Sequence, residues 1–354
     1  MRFLEQTSRA LGLGIGLMTI GFTAEAAPCL EVTFTGTQGG PPVFNGQAGA
    51  GTLVRYGDDS NNCSDVILQF DAGRGTLQQL SKLRVLPGKI DAVFLTHIHS
   101  DHTDGLADVM QIRWHFNSAG PKVDLVCSAD VEAHSGHTAS CTNLALHLGD
   151  AYIQSGEIAQ RLLENSARLP GGPSDLINII TFEGSAVGQE VWSSGDVKVQ
   201  AIASRHIAGH ASFRVDTPAG SVVIGGDAGN DVPMPPRDSS TSAAVENLAN
   251  GADIVVHSTI HPVMGPDKDS GFPPPVYFRQ STAADLGDMS ERAGVAHLML
   301  THLIPPMGTP RQGPYVIPGG ALTEADYIEA ARSGGYQGNV IVGTDLATLR
   351  LPLE

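Results

Sequence analysis

The sequence predicts an α/β chain folded as a four-layer αββα sandwich, two sheets stacked between outer layers of helices. Two observations carry that expectation. Short β-type runs alternate with helical ones, the rhythm of sheets covered by helices. The rhythm occupies both halves of the chain with similar βα content and no obvious sequence repeat. The chain reads as a single domain over residues 27–354, behind a leader over 1–26, with an insertion or cover at about 128–195.

In order, LEVTFTGT from Leu30, VILQFDAG from Val66 and DAVFLTH from Asp91 are β-type runs that end in glycine or polar turns, and TLQQLSKLRV between the last two is spaced as a helix. LADVMQIRWHF from Leu106 is again helical, and VDLVC from Val123 returns to strand. Residues 128–195 are polar and weakly periodic apart from one helical-looking run from Cys141 to Leu169. The segments on either side continue one pattern, so this region reads as a cover rather than a second domain. The second half runs VKVQAIAS, then SFRVDT and SVVIGGD as a hairpin about a Pro-Ala-Gly turn, helix SAAVENLANG, strand DIVVHS, helix TAADLGDMSERAG and strand HLMLTH. A proline-rich loop from Ile304 to Gly320, helix TEADYIEAARSGG and a final strand NVIVGTDLATLRL complete the chain.

Arg2 and Arg9 precede the apolar run LGLGIGLMTIGF, which leads to Ala24-Glu25-Ala26, a small-x-small site. This is the pattern of a secretory signal peptide processed after Ala26, and it places the mature chain in the periplasm or outside the cell. The run is too short for a span, no later segment approaches ~20 uninterrupted apolar residues, and no membrane partner is expected. In an oxidising compartment Cys29, Cys63, Cys127 and Cys141, which lack C-x-x-C spacing, read as two disulfides; Cys29 with Cys63 and Cys127 with Cys141 is the simplest pairing. A formal net charge of -16 with no basic cluster repels phosphate backbones, so no nucleic-acid partner is expected. Composition leaves a homo-oligomer open.

The stretch THIHSDHTDG, from Thr96 to Gly105, carries the chemistry. His97 and His99 follow the apolar run AVFLT, at the carboxyl end of an expected strand, where open α/β architectures place ligand-binding groups. Asp101 and His102 come next, ahead of a helix that Thr103 or Asp104 would cap. Four ligand-type side chains in so short a stretch cannot all serve one tetrahedral ion and leave a reactive position open. Two ions solve the problem, with His97 and His99 turned toward one and Asp101 and His102 toward the other. Imidazole and carboxylate suit divalent zinc, with manganese and iron as alternatives.

HIHSDH with the trailing Gly105 resembles the signature of the metallo-β-lactamase fold superfamily. LEVTFTGTQGGPP, FDAGRGTLQQL and KIDAVFLTHIHSDHTDGL resemble, in order and spacing, the opening segments of ribonuclease Z and its arylsulfatase-like relatives. SRHIAGHASFRV is similar to the segment that carries that group's next metal-binding histidine ahead of an aromatic-Arg pair, and VVIGGDAG to the one with a bridging aspartate. ADIVVHSTI resembles the segment with a catalytic histidine, and LMLTHL the one with the last ligand. The resemblance covers nearly all of the mature chain. It implies one ion held by His97, His99 and His206, a second held by Asp101, His102 and His302, and Asp227 bridging the two. Asp227 follows the apolar run SVVIG on a glycine-bounded turn, and His302 ends HLMLT as His97 ends AVFLT, which agrees with those roles. His210 competes with His206 as ligand; the spacing to Phe213-Arg214 favours His206 and leaves His210 at the pocket rim. His257 is implied to assist the departing group, although Ser258 stands where those relatives carry a glutamate.

The expected activity is hydrolysis of small phosphodiester or sulfate esters by a hydroxide bridging two divalent ions, with Asp101 or Asp227 orienting it and His257 meeting the departing oxygen. Lactone or carboxylic-ester hydrolysis, then β-lactam hydrolysis, are the alternatives on the same site. A mononuclear iron oxygenase and a non-catalytic metal-binding protein are the rivals from other classes. Where ribonuclease Z carries a long arm that grips tRNA, only VDTPAGSVVIGG separates Arg214 from Asp227, so tRNA processing is not expected. Gln280 precedes Ser281-Thr282 where relatives tend to carry histidine, and the stretch PDKDSGFPPPVYFRQ that it ends is a candidate pocket wall. His115, His134, His137, His147, His261 and His297 are left without a role.

Overall fold

A computed structural model describes residues 26–118, 120–133 and 135–353; the expected leader, apart from Ala26, and His134 lie outside the described residues. The strands are β1 (Pro28–Gly36), β2 (Gly51–Asp58), β3 (Val66–Phe70), β4 (Ala92–Phe94), β5 (Val123–Ser128), β6 (Val131–Glu132), β7 (Thr138–Ala139), β8 (Ile177–Phe182) and β9 (Gln189–Ser194) in the first part of the chain. They continue with β10 (Val197–Ala203), β11 (Ala211–Thr217), β12 (Gly220–Ile224), β13 (Ile254–Ile260), β14 (His297–Ile304), β15 (Arg311–Gln312), β16 (Tyr315–Val316), β17 (Asn339–Val342) and β18 (Thr348–Leu351). One seven-stranded sheet has the order β18-β1-β2-β3-β4-β5-β8 and the other β17-β14-β13-β12-β11-β10-β9. Strands β3, β4, β5 and β8 run parallel, as do β12, β13, β14 and β17.

The inner strands of both sheets are buried on both faces, so alternate residues feed different cores, while the edge strands β8 and β9 are partly exposed. Between the sheets, Leu30, Val32, Phe34, Phe70 and Phe94 meet Phe213, Val222 and Met299. Phe70 stacks on Phe94 at 4.6 Å between centroids, and Phe213 crosses from the second sheet to meet Phe94 edge-on at 5.4 Å. The outer face of the first sheet packs under helices α1 (Thr76–Lys82) and α3 (Leu106–Asn117), which bring Leu80, Val109 and Trp114 onto Leu53, Val93 and Leu125. The four-residue helix α2 (Ser100–Thr103) lies between them in the chain, and α4 (Cys141–His147), α5 (Asp150–Gln154) and α6 (Glu157–Glu164) follow. The second sheet is covered by α7 (Ala243–Ala249), α9 (Ala283–Arg292) and α10 (Glu324–Ser333), with Val245, Leu286 and Tyr327 against Val255 and Leu298; α8 (Pro274–Tyr277) is one short turn. Each fully buried side chain of this size contributes about 1.5–3 kcal/mol, and the result is the four-layer αββα sandwich.

Three sequence expectations change. The final β run is two strands: β17 stays in the second sheet, while β18 crosses to pair with β1. Asp345 breaks the run between them, because its carboxylate accepts from the Thr37 and Ala48 backbone N–H groups and from Gln79 Nε2. The helical run from Cys141 is three short helices, interrupted at Gly149 and at Gly156, whose φ of 83° is left-handed. And residues 128–195 are not wholly a cover, since β8 and β9 form the edge strands of the two main sheets. Disulfides join Cys29 to Cys63 and Cys127 to Cys141. No helix among the described residues is long and apolar enough to cross a membrane.

Candidate metal centre

The turn that follows β4 is the frame of the site. His97 lies in the irregular stretch after β4, His99 is the extended N-cap of α2, and Asp101 and His102 occupy its single turn. Thr103 lies inside α2 and Asp104 ends it, so neither caps the longer helix as expected; α3 starts afresh behind Gly105 without a side-chain cap. The turn is held backbone against backbone. A Cβ on Gly73 would stand 2.1 Å from the Asp101 carbonyl oxygen, and one on Gly105 would stand 2.1 Å from that of Gly73.

The second sheet delivers the remaining groups to the same place: His206 lies between the antiparallel strands β10 and β11, Asp227 just after β12, and His302 within β14. Donor atoms fall into three sets within 4.8 Å of one another: His97, His99 and His206; Asp101, His102 and His302; and His97, His102 and Asp227. Asp227 stands between the first two sets. Its Oδ1 is 3.6 Å from His102 Nε2, and its Oδ2 is 3.6 Å from His206 Nε2 and 3.3 Å from His302 Nε2. His302 Nε2 also lies 3.1 Å from Asp101 Oδ2. Three converging atoms in this cluster, His102 Nε2, His206 Nε2 and Asp227 Oδ1, are buried with no hydrogen-bond partner. An orphaned buried polar group costs about 1–3 kcal/mol, a cost that divalent ions among these donors would remove. The donor set of imidazoles and carboxylates fits such ions, and it offers two positions.

Asp71 was not among the expected site residues. It ends β3 in the left-handed region, at φ 53°, and its carboxylate accepts from Thr96 N at 2.7 Å, Thr96 Oγ1 at 2.8 Å and His102 Nδ1 at 2.8 Å. Thr96 Oγ1 in turn lies 3.0 Å from His97 Nδ1. With the hydroxyl proton given to Asp71, Thr96 accepts from His97, so one carboxylate fixes both rings with Nε2 unprotonated; that of His102 has no partner and that of His97 lies 2.8 Å from His99 Nδ1. The signal for Asp71 in sequence is a lone aspartate closing the VILQF run.

His210 is not at the pocket rim. It is 3 % exposed, and both its nitrogens are taken by the protein: the Asp227 N–H donates to Nε2 at 3.1 Å, while Nδ1 donates to Ser204 Oγ at 2.8 Å. The chain continues from Ser204 to Ser212 and to the Gly225 carbonyl. His210 therefore shapes the Gly226-Asp227 turn, and the bare Nε2 beside His97 and His99 belongs to His206. Gly226 has φ 60°, and a Cβ there would press to 2.9 Å from His210 Nε2.

Burial first, then neighbouring imidazolium charge, holds His97 and His210 well below the usual histidine range, and burial takes His206 down to about 4. These rings stay neutral, the form that ligates metal. Burial opposes charge on His102 and His302 too, but Asp227 and Asp71 outweigh it at His102, and Asp227 and Asp101 do so at His302, so both are raised. Burial likewise works against ionisation of Asp101, yet the hydrogen bond from His302 and the charges of His102 and His302 bring it down to about 2.

His257 is fully buried. It donates Nδ1–H to the Ser258 carbonyl at 2.7 Å, and its unpartnered Nε2 faces the interior. It lines a cavity of about 20 Å³ with His102, Asp227 and His302, not the open pocket, so the expected contact with a departing oxygen does not fit this placement. His115, His137, His147, His261 and His297 join none of the donor sets.

The open pocket is about 290 Å³ and has His99, Asp101, His206, Asp227 and His302 at its floor. The segment from Pro266 to Gln280 does supply part of the lining, through Phe272, Val276, Arg279 and Gln280, and Pro41 and Pro42 line the same pocket. Arg279 is the sole lysine or arginine among the lining residues.

The family described as "Beta-lactamase superfamily domain" matches residues 67–302, more than half of the chain. Ribonuclease Z of Mycobacterium bovis (strain BCG / Pasteur 1173P2) is 25% identical over 319 residues, which span 90% of this chain and 96% of that protein. Among solved structures, the metallo-beta-lactamase fold protein YhfI from Bacillus subtilis superposes with a TM-score of 0.58 at 17% identity, covering 92% of this chain and 100% of its own. The short form of human tRNase Z superposes with a TM-score of 0.54 at 16% identity, covering 91% and 100%.

Proposed function

The chain belongs to the beta-lactamase superfamily, and from that premise we propose that it is an exported, metal-dependent hydrolase of small phosphodiester or sulfate esters. The observation that carries this reading is the pair of donor sets joined by Asp227 at the floor of a small pocket with a single guanidinium at its wall. His97, His99 and His206 would hold one divalent ion and Asp101, His102 and His302 the other, with Asp227 between them. Such ions supply Lewis-acid polarisation of the ester and activation of water. The protein's own groups do the rest. Asp101, held as a carboxylate at the pocket floor, accepts a hydrogen bond from attacking water and orients it. Asp71 and His210 keep the rings and the Asp227 turn in place. Arg279 meets the charge of an anionic ester, which a lactone or neutral carboxylic ester does not carry.

RNA is the second reading, and the relatives named ribonuclease Z favour it against the expectation of no nucleic acid. The formal charge of -16, the single basic residue in the pocket and the tight hairpin that joins β11 to β12 favour a small substrate. The test is a panel of aryl phosphodiester, aryl sulfate, lactone and precursor tRNA, with and without chelator. Turnover of a small phosphodiester or sulfate, lost on chelation and regained with zinc, is the expected result. Preferential cleavage of precursor tRNA would replace this reading with the second. Export is checked by the N-terminus of the protein recovered outside the cytoplasm, expected to begin at Ala27.

A further inference from the structure

The pocket wall holds chemistry that metal binding does not use. Gln280 and Gln312 are 3 % and 6 % exposed, both line the pocket, and each has a buried side-chain oxygen with no partner. Oxygen and nitrogen of an amide are interchangeable by rotation, so each side chain can present either a donor or an acceptor. The same pocket has an aromatic corner, where Phe272 and Tyr315 meet edge-on at 5.2 Å, and Val276 also lines it. Arg279 makes no side-chain hydrogen bond or salt bridge with any described residue, and it lines the same pocket as His99 and His206. A guanidinium in the wall, an aromatic corner and two amides with unpartnered oxygens describe a ligand with three matching parts.

We infer that the pocket selects anionic esters whose non-transferred part is a planar aromatic or heteroaromatic group with an amide-type edge. The ring lies against Phe272 and Tyr315, the edge pairs with Gln280 and Gln312, and Arg279 meets charge on the reacting group. This rests on the hydrolase reading above. It also gives Gln280 a use: an amide selects by hydrogen-bond pattern, and a site built to pair a polar edge rejects analogues that lack it.

The test uses non-hydrolysable probes and the full-length mature protein loaded with zinc. Binding of methylphosphonate, phenylphosphonate and 4-carbamoylphenylphosphonate is measured by calorimetry, and each is then tested as an inhibitor of aryl phosphodiester hydrolysis. Affinity is expected to rise along that order, by about tenfold for the ring and about fivefold more for the carbamoyl group. Phe272→Ala should erase the gain from the ring. Gln280→Leu or Gln312→Leu should erase the carbamoyl gain and leave the phenyl gain intact. Arg279→Ala should weaken all three alike, with partial recovery in Arg279→Lys. Melting curves for every variant separate a lost contact from a lost fold, and Gln312, on the separate ribbon strand β15, serves where Gln280→Leu does not fold. Equal affinity for methyl and phenyl probes, or a carbamoyl gain that survives both glutamine variants, would overturn the inference. The expected ladder without hydrolysis of any ester would leave the pocket inference standing and sink the hydrolase reading; hydrolysis with a flat ladder would do the reverse.

Discussion

Replacing Asp71 with asparagine is the sharpest perturbation of the centre that leaves every donor atom to the metal in place. Asp71→Asn preserves shape, and asparagine tolerates the left-handed backbone at φ 53°. The Thr96 N–H now 2.7 Å from Oδ1 still requires an acceptor, so the amide oxygen stays there. The amide nitrogen must then take the place of Oδ2, 2.8 Å from His102 Nδ1 and 2.8 Å from Thr96 Oγ1. Two donors would face each other at His102 unless its proton moves to Nε2, the nitrogen that points to the centre. One charge-assisted hydrogen bond, about 1.5–3 kcal/mol, is lost, and the ring is left in the tautomer that cannot ligate. Loss of such an orienting partner typically lowers metal affinity about 10–100-fold, which is about 1.4–2.7 kcal/mol. Zinc competition against a chromophoric chelator reads this directly, with the weaker of two binding steps expected to move. Two steps with affinities unchanged from the parent protein would refute the role of Asp71.

Other substitutions separate the groups around the centre. Asp227→Ala should reduce the bound metal and abolish turnover together; full turnover with two bound ions would remove it from the bridging position. His206→Ala should lose metal at the set it shares with His97 and His99, read by elemental analysis after dialysis. His210→Ala should instead leave the Asp227 N–H unpaired, lowering the stability of the metal-free protein by about 1–3 kcal/mol in denaturant melts. Opening the 14-residue Cys127 to Cys141 link by double serine substitution should cost about 3 kcal/mol, and an unchanged melting midpoint would speak against that link.

The side chains that the structure gathers into donor sets were legible in sequence because they follow apolar runs: His97 after AVFLT, Asp227 after SVVIGG, and His302 after HLMLT, although β14 runs on past His302 to Ile304. A ligand-type residue at the end of a buried strand has few other uses. Asp71 follows the same rule, but alone it reads as a turn; its role arises only because β3 pairs beside β4 and sets its carboxylate under Thr96 and His102. The spacing to Phe213-Arg214 separated His206 from His210, but the burial of His210 turns on ring direction, which spacing cannot encode: its relay runs through Ser204 and Ser212 to the Gly225 carbonyl, residues from different parts of the second sheet. His257 lies on the expected strand but not at its end: β13 runs on to Ile260, and the ring of His257 is sealed beneath Gly225, where a Cβ would come within 2.1 Å of it. The crossing of β18 to the first sheet depends on Asp345 gathering donors from Thr37, Ala48 and Gln79, contacts more than 260 positions away in sequence.

The central claim is a two-ion centre that hydrolyses anionic esters, and titration of metal-free protein with zinc tests it most directly. Hydrolysis of an aryl phosphodiester and of an aryl sulfate is followed at each addition, beside the metal retained. At least one activity should rise with bound zinc and level off at two equivalents per chain. Saturation at one equivalent, or two tightly held ions with no turnover of either ester, would contradict it.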